Sequence, residues 1–430
     1  MFFETIPCAL LLAAALTTAP PLSADAPPAG HAAPAAARTD TLTFDEALAR
    51  ATAYDPVLRA GPLRTDAARA AVAQANARPN PGLALEAENV GGSYHAFERS
   101  ELSIYITQEL ELGGRRGARR AAAAHSQRLV EFDARADTLG LYAETRRRYT
   151  AAVHAEMRCR IAREAVAIVD ELVAAADAGV TAGATPVSDR ALATAARASA
   201  RLAVERADSE RRGARQALAS LWGESTFDAP VAAALDGPSE VPSAQWVFDH
   251  VDDSPAVVRA RIGAESLRAD TGVERSLRVP PLSVTVGARR IEADDAGTFI
   301  VGLAMPLPLW DRRGEAVHAA DARARAADLT TARIRTDVAG ALAVHVETLA
   351  RLTAHVRHVD AQVIPELRAA ADGLRAAYRM GRSSYPDLLE VERTLITIEQ
   401  EQNDARRAIA EEVIAIEELT GVTTREWNHE

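Results

Sequence analysis

The chain has 430 residues and 48% hydrophobic content, yet aromatics are only 4%, which favours long helices over a large aromatic core. A formal net charge of -11 argues against a nucleic-acid partner, because neutralising phosphates needs a basic face, and it fits cationic or neutral cargo better.

Residues 1–24 read as a secretory signal, with an apolar run from Cys8 to Leu16 and Leu22, Ser23 and Ala24 as a small-residue cleavage site, although Glu4 stands where such leaders usually carry a cation. Cys8 opens the apolar run instead of following it, which argues against it as a lipidation site. Cys159 alone would remain after cleavage, so no intramolecular disulfide is expected, and a lone helical Cys reads as core filler. No other apolar run approaches the roughly 20 residues a spanning helix needs, so any membrane crossing must use strands.

After a linker over 25–42, a first repeat is expected over 43–235. It opens with a helical stretch over 44–77, interrupted near Asp55 and Pro56. A β-hairpin follows over 82–110, because Leu83, Leu85 and Ala87, then Leu102, Ile104 and Ile106, alternate with polar or small residues, and Gly91, Gly92 and Ser93 suit the linking loop. Gly113, Gly114, Arg115 and Arg116 mark the exit into a proline-free helix over 114–178, roughly 98 Å long at 1.5 Å per residue. A turn over 179–186 containing Gly183 and Pro186 reverses the chain into a shorter helix ending at Trp222.

The second repeat, over 236–423, copies this order. Its helical stretch over 245–277 breaks near Ser254 and Pro255, and its hairpin over 281–309 alternates Leu282, Val284 and Val286, then Phe299, Val301, Leu303 and Met305, with small or polar residues. Trp310, Asp311, Arg312 and Arg313 stand where the first repeat has Gly113 to Arg116. In the helix over 312–380, Leu342, Leu349, Val356 and Val363 recur every seven residues beside Val338, Leu352 and Val359, a coiled-coil-like seam that Pro365 should kink. A turn over 380–386 with Gly381 and Pro386 leads into the last helix, and 424–430 is a tail.

Alternation does not by itself distinguish hairpins on a soluble core from a barrel wall. Open sheet edges cannot face lipid, and four strands cannot close around a pore, whereas three chains supply twelve and extend the wall with their helices. The expected fold is thus an α+β membrane protein, a trimeric 12-stranded β-barrel continued by a long helical barrel. The paired arginines read as solvated residues of the barrel-to-helix junction. His355, His358 and Asp360 do not converge on one helical face, and no catalytic, metal or cofactor pattern is present, so neither enzyme activity nor a cofactor is expected.

The duplicated order, with QELELGGRRGARR over 108–120, PLPLWDRRG over 306–314 and YRMGRSSYPDLLEVE over 378–392, resembles the TolC outer-membrane factor family, and within it the CzcC/CusC branch that serves heavy-metal resistance-nodulation-division pumps. The resemblance implies a TolC-like homotrimer in the outer membrane with a periplasmic extension, an adaptor protein, an inner-membrane pump and a passive exit path. It also implies a periplasmic gate at Ser188, Asp189, Tyr378 and Asp387; Arg382 lies one place before the family's tip arginine, where this chain has Ser383. A helical-hairpin adaptor, a structural coiled coil and a channel of the same fold for drugs are the competing readings.

Overall fold

Thr43 opens the first helix with a reciprocal cap: its hydroxyl accepts from the Glu46 amide at 3.3 Å, and the Glu46 carboxylate accepts from the Thr43 amide at 3.1 Å. The computed structural model describes residues 41–91, 97–183, 185–232 and 241–423. The expected signal, the linker as far as Asp40, Gly92 and Ser93 of the first loop, the boundary at 235–236 and the tail 424–430 lie outside the described residues.

Helix α1 (Phe44–Tyr54) stops at Asp55, whose carboxylate accepts from the Val57 and Leu58 amides at 2.7 and 2.9 Å and starts α2 (Pro56–Ala75). Strands β1 (Gly82–Glu88) and β2 (Glu101–Leu110) lead into α3 (Arg115–Thr181), whose 67 residues reach roughly 100 Å. Helix α4 (Val187–Ala219) returns and tightens into a 3-10 turn over Ser220–Trp222. The second repeat gives α5 (Ala244–His250), a 3-10 turn, α6 (Pro255–Ser276), β3 (Leu282–Ile291) and β4 (Ala296–Ala304). It ends with α7 (Gly314–His358), a π-helical turn over Val359–Val363, α8 (Ile364–Arg379) and α9 (Tyr385–Thr420).

The two hairpins merge into one antiparallel sheet of order β1-β2-β3-β4. Leu83 pairs with Ile106, Ile106 with Val286 and Val286 with Val301, so the apolar residues of all four strands share one face. That face is bare: Phe299 is 90% exposed, and Leu83, Leu85, Ile104, Val301 and Leu303 are exposed as well. The outer edges of β1 and β4 have no partner strand within the sheet.

Helix α3 lies between α2 and α4, while α7 and α8 lie against α6 and α9, and α3 joins the repeats by packing on α6 and α9. Buried side chains fall into separate clusters along these helices instead of one central core. One holds Leu42, Tyr149, Leu218 and Trp222, a second Val257, Leu342, Leu349 and Ile416, and a third Leu172, Tyr378, Tyr385 and Leu388. Leu42, inside the expected linker, pairs in parallel with Val231, and the Tyr149 hydroxyl donates to the Leu42 carbonyl at 3.1 Å. Burial, ahead of nearby Glu46 and Asp45, pushes that phenol up to about 12.

The seven-residue seam departs from expectation in its last third. Val338, Leu342, Leu349 and Val356 are buried, but Val363 is only half-buried and Ile364 takes its place. The π-helical turn adds a residue to the helical circuit and shifts the phase, which gives the Pro365 ring room and lets the helix resume at Ile364.

Candidate functional site

Three regions carry the polar side chains that a conduit would use: the tip where the long helices reverse, the polar sheet face, and the junction between them. At the tip, Gly183 and Gly381 take φ of +70° and +69°, the left-handed conformation that ends α3 and α8 without a Cβ penalty. The Gly381 amide donates to the Tyr378 carbonyl at 2.9 Å and the Arg382 amide to the Ala377 carbonyl at 2.9 Å. Pro186 and Pro386 stand at the starts of α4 and α9.

The candidate tip residues divide into two groups. Tyr378 and the fully buried Tyr385 pack edge to face with ring centroids 6.0 Å apart, and both hydroxyls are buried with no hydrogen-bond partner among the described residues. Burial first, then the neighbouring Asp189 carboxylate, raises the Tyr378 phenol; for Tyr385 burial leads, followed by Tyr378, while Arg393 opposes. Asp189 is half-buried and therefore belongs with this aromatic pair. Asp387 does not: its amide donates to the Ser384 hydroxyl at 3.3 Å, and that hydroxyl donates to its carboxylate at 2.6 Å, so it is engaged by Ser384, the cap of α9. Ser188 and Arg382 are exposed, and the Ser383 hydroxyl reaches only the Ser384 carbonyl at 3.5 Å.

Two tip residues escaped the sequence reading, although Ser384 with Asp387 three places on is a legible capping pattern and Tyr385 lies within the matched motif. Farther from the tip, the Arg375 guanidinium donates to Glu392 at 2.5 and 2.8 Å, joining α8 to α9, and Arg146 pairs with Glu417 where α3 meets α9. His154 Nδ1 lies 2.9 Å from the Asn403 side chain, and burial pushes this imidazole below its ordinary value. Asp360 pairs with Arg406 at 2.8 Å, and no metal-ligand cluster occurs among the described residues.

On the polar sheet face, Arg289 donates to the Ser103 hydroxyl at 2.9 Å and the Glu101 carboxylate at 2.6 Å, Tyr105 donates to Glu86, and the Thr107 and Thr285 hydroxyls meet at 3.0 Å. At the junction, Gly113 and Gly114 take φ of +66° and +74°, and a Cβ on Gly113 would come within 2.6 Å of the Val279 Cβ. The first arginine pair is not solvated as expected. Arg115 is partly buried and donates to the Leu277 carbonyl at 3.3 Å, and Arg116 is half-buried. Helix α3 carries these residues in its first turn, which folds them against α6.

The second junction is built differently. The Asp311 carboxylate accepts from the Arg313 amide at 2.9 Å, Arg313 takes φ of +58° as the α7 cap and donates to Glu274 at 3.3 Å, and Trp310 and Arg312 are exposed. The Arg119 guanidinium pairs with Glu111, and that hydrogen bond lowers the carboxyl below its ordinary value.

The arrangement is thus an amphipathic sheet joined to long paired helices with a polar, aromatic reversal at the far end. The sequence profile described as outer membrane efflux protein matches residues 47–224 and 250–422. The cobalt-zinc-cadmium resistance protein CzcC of Cupriavidus metallidurans is 27% identical over 355 residues, covering 82% of this chain and 84% of that one. The nickel-cobalt-cadmium resistance protein NccC of Alcaligenes xylosoxydans xylosoxydans is 30% identical over 295 residues, covering 68% and 67%. Among solved structures, CusC superposes with a TM-score of 0.72 at 19% identity over 87% of this chain and 91% of that one. The outer membrane protein VceC of Vibrio cholerae superposes with a TM-score of 0.70 at 18% identity, over 89% and 96%. These superpositions establish the TolC-like fold, and the profile match over both repeats establishes descent: the chain belongs to the outer membrane efflux protein family.

Proposed function

We propose that three copies of this chain form the outer-membrane duct of a tripartite pump that expels divalent heavy-metal cations. The observation that carries the reading is the single four-stranded sheet, with one mainly apolar face and two open edges. Backbone groups on those edges need partners in a membrane, and β1 and β4 run antiparallel, so the β4 edge of one copy suits the β1 edge of the next. Eight strands would leave a barrel filled by side chains such as Tyr105 and Arg289, whereas twelve leave a lumen. The long helices then extend that lumen across the periplasm. The signal read over 1–24 accounts for export, and an adaptor with an inner-membrane pump supplies cargo and energy.

Cargo passes without a chemical step. The resemblance to CzcC and NccC supports cobalt, zinc, cadmium or nickel as cargo, and the net charge of -11 suits cations. At the tip, Asp189, half-buried beside the Tyr378–Tyr385 pair, is the group that closes the resting duct. Deleting the chain from its host and challenging the strain with these four metals tests the reading. Expected are higher intracellular metal and lower survival, both restored by the intact gene; unchanged accumulation of all four would overturn the cargo assignment.

A further inference from the structure

The strap that follows β4 is apolar and bare. Met305, Leu307 and Leu309 are exposed, and Trp310 is 92% exposed. In the first repeat the matching segment is largely half-buried and seated within the chain: Gly113 lies against Val279, and Arg115 donates to the Leu277 carbonyl. The internal β2–β3 contact therefore displays how the exit of one hairpin seats on the residues that precede the next. Only the second exit lacks such a seat in its own chain, because β4 is the edge strand.

The seat in a neighbouring copy can be located by counting. Val279 stands two places after Leu277, the C-cap of α6, and two places after Asn76, the C-cap of α2, stands Arg78. Trp310 occupies the place of Gly113 when the Arg-Arg-Gly motifs are superposed, since 310 - 113 = 197 is the same offset as 314 - 117 = 197 between Gly117 and Gly314. The small Gly113–Val279 contact is thus replaced between copies by an indole and a guanidinium. Arg78 is exposed and makes no ion pair among the described residues, and an indole face attracts a cation of this kind. The second strap also has the reach: eight residues, 305–312, separate β4 from the α7 cap, against three, 111–113, between β2 and the α3 cap.

We infer that the strap Met305 to Trp310 seals the seam between copies, with Trp310 laid on Arg78 of the next copy. The inference rests on the proposed closure of the sheet by several copies, so its test must separate the two. The full chain carrying Arg78→Cys, Trp310→Cys and Cys159→Ala is treated with a short bismaleimide in its host membrane, and the detergent-extracted assembly is weighed by light scattering. Expected are covalent multimers that neither single-cysteine variant gives. In parallel, Trp310→Ala and Arg78→Ala each lower the temperature at which the assembly dissociates, the double change lowers it no further, and Trp310→Phe restores most of it. A multimeric assembly without cross-links, or with additive effects, overturns the seam contact and leaves the closure standing; so does quenching of Trp310 by brominated lipid, which assigns the strap to the membrane interface. A monomer by mass overturns both.

Discussion

Asp189 and Asp387 occupy matching places at the two helix reversals, yet their surroundings separate them. Asp387 is held by the Ser384 hydroxyl at the start of α9, whereas Asp189 is half-buried beside two phenols whose hydroxyls have no partner among the described residues. Asp189→Ala is therefore expected to raise the resting conductance of the reconstituted channel severalfold in planar bilayers, while Asp387→Asn, which keeps an acceptor for the capping Ser384 hydroxyl, leaves it near the unaltered level. Equal conductance for Asp189→Ala and the unaltered protein would remove the proposed gate. The reversal glycines were legible because few residues other than glycine tolerate their left-handed backbone. The difference between the two aspartates was not, because it depends on burial by Tyr378 and Tyr385 from another helix hairpin.

Helix α8 has to be held in register after the π-helical turn shifts its phase. Glu392, 1% exposed on α9, accepts two hydrogen bonds from Arg375 on α8, which raise the guanidinium above its ordinary value. Arg375→Ala would strand a buried carboxylate and is expected to cost about 3 kcal/mol. Arg375→Met with Glu392→Leu should recover most of that loss, because an apolar pair leaves no charge unpaired. Thermal unfolding in detergent checks this: equal midpoints for Arg375→Ala and the unaltered chain would show that the clamp does not hold the helix. Period-two alternation identified the four strands, and the Asp55-Pro56 and Ser254-Pro255 pairs identified breaks in the helices before each hairpin. The Arg375–Glu392 and Arg146–Glu417 pairs were illegible because their partners sit 17 and 271 residues apart on different helices, a proximity that only packing creates.

For the whole molecule, one structural fact governs the rest: four strands present a mainly apolar face and stop at two open edges. A single copy offers lipid the correct face but leaves rows of backbone donors and acceptors without partners, so the membrane-embedded form must be an assembly. The separate clusters along the helices agree, since a tube wall needs lateral packing between neighbours and has no centre to fill. The most direct test is the mass of the mature protein extracted from membranes in mild detergent, corrected for bound detergent by light scattering. Three copies per particle is the predicted result; a monomer that stays folded in water without detergent would contradict the account.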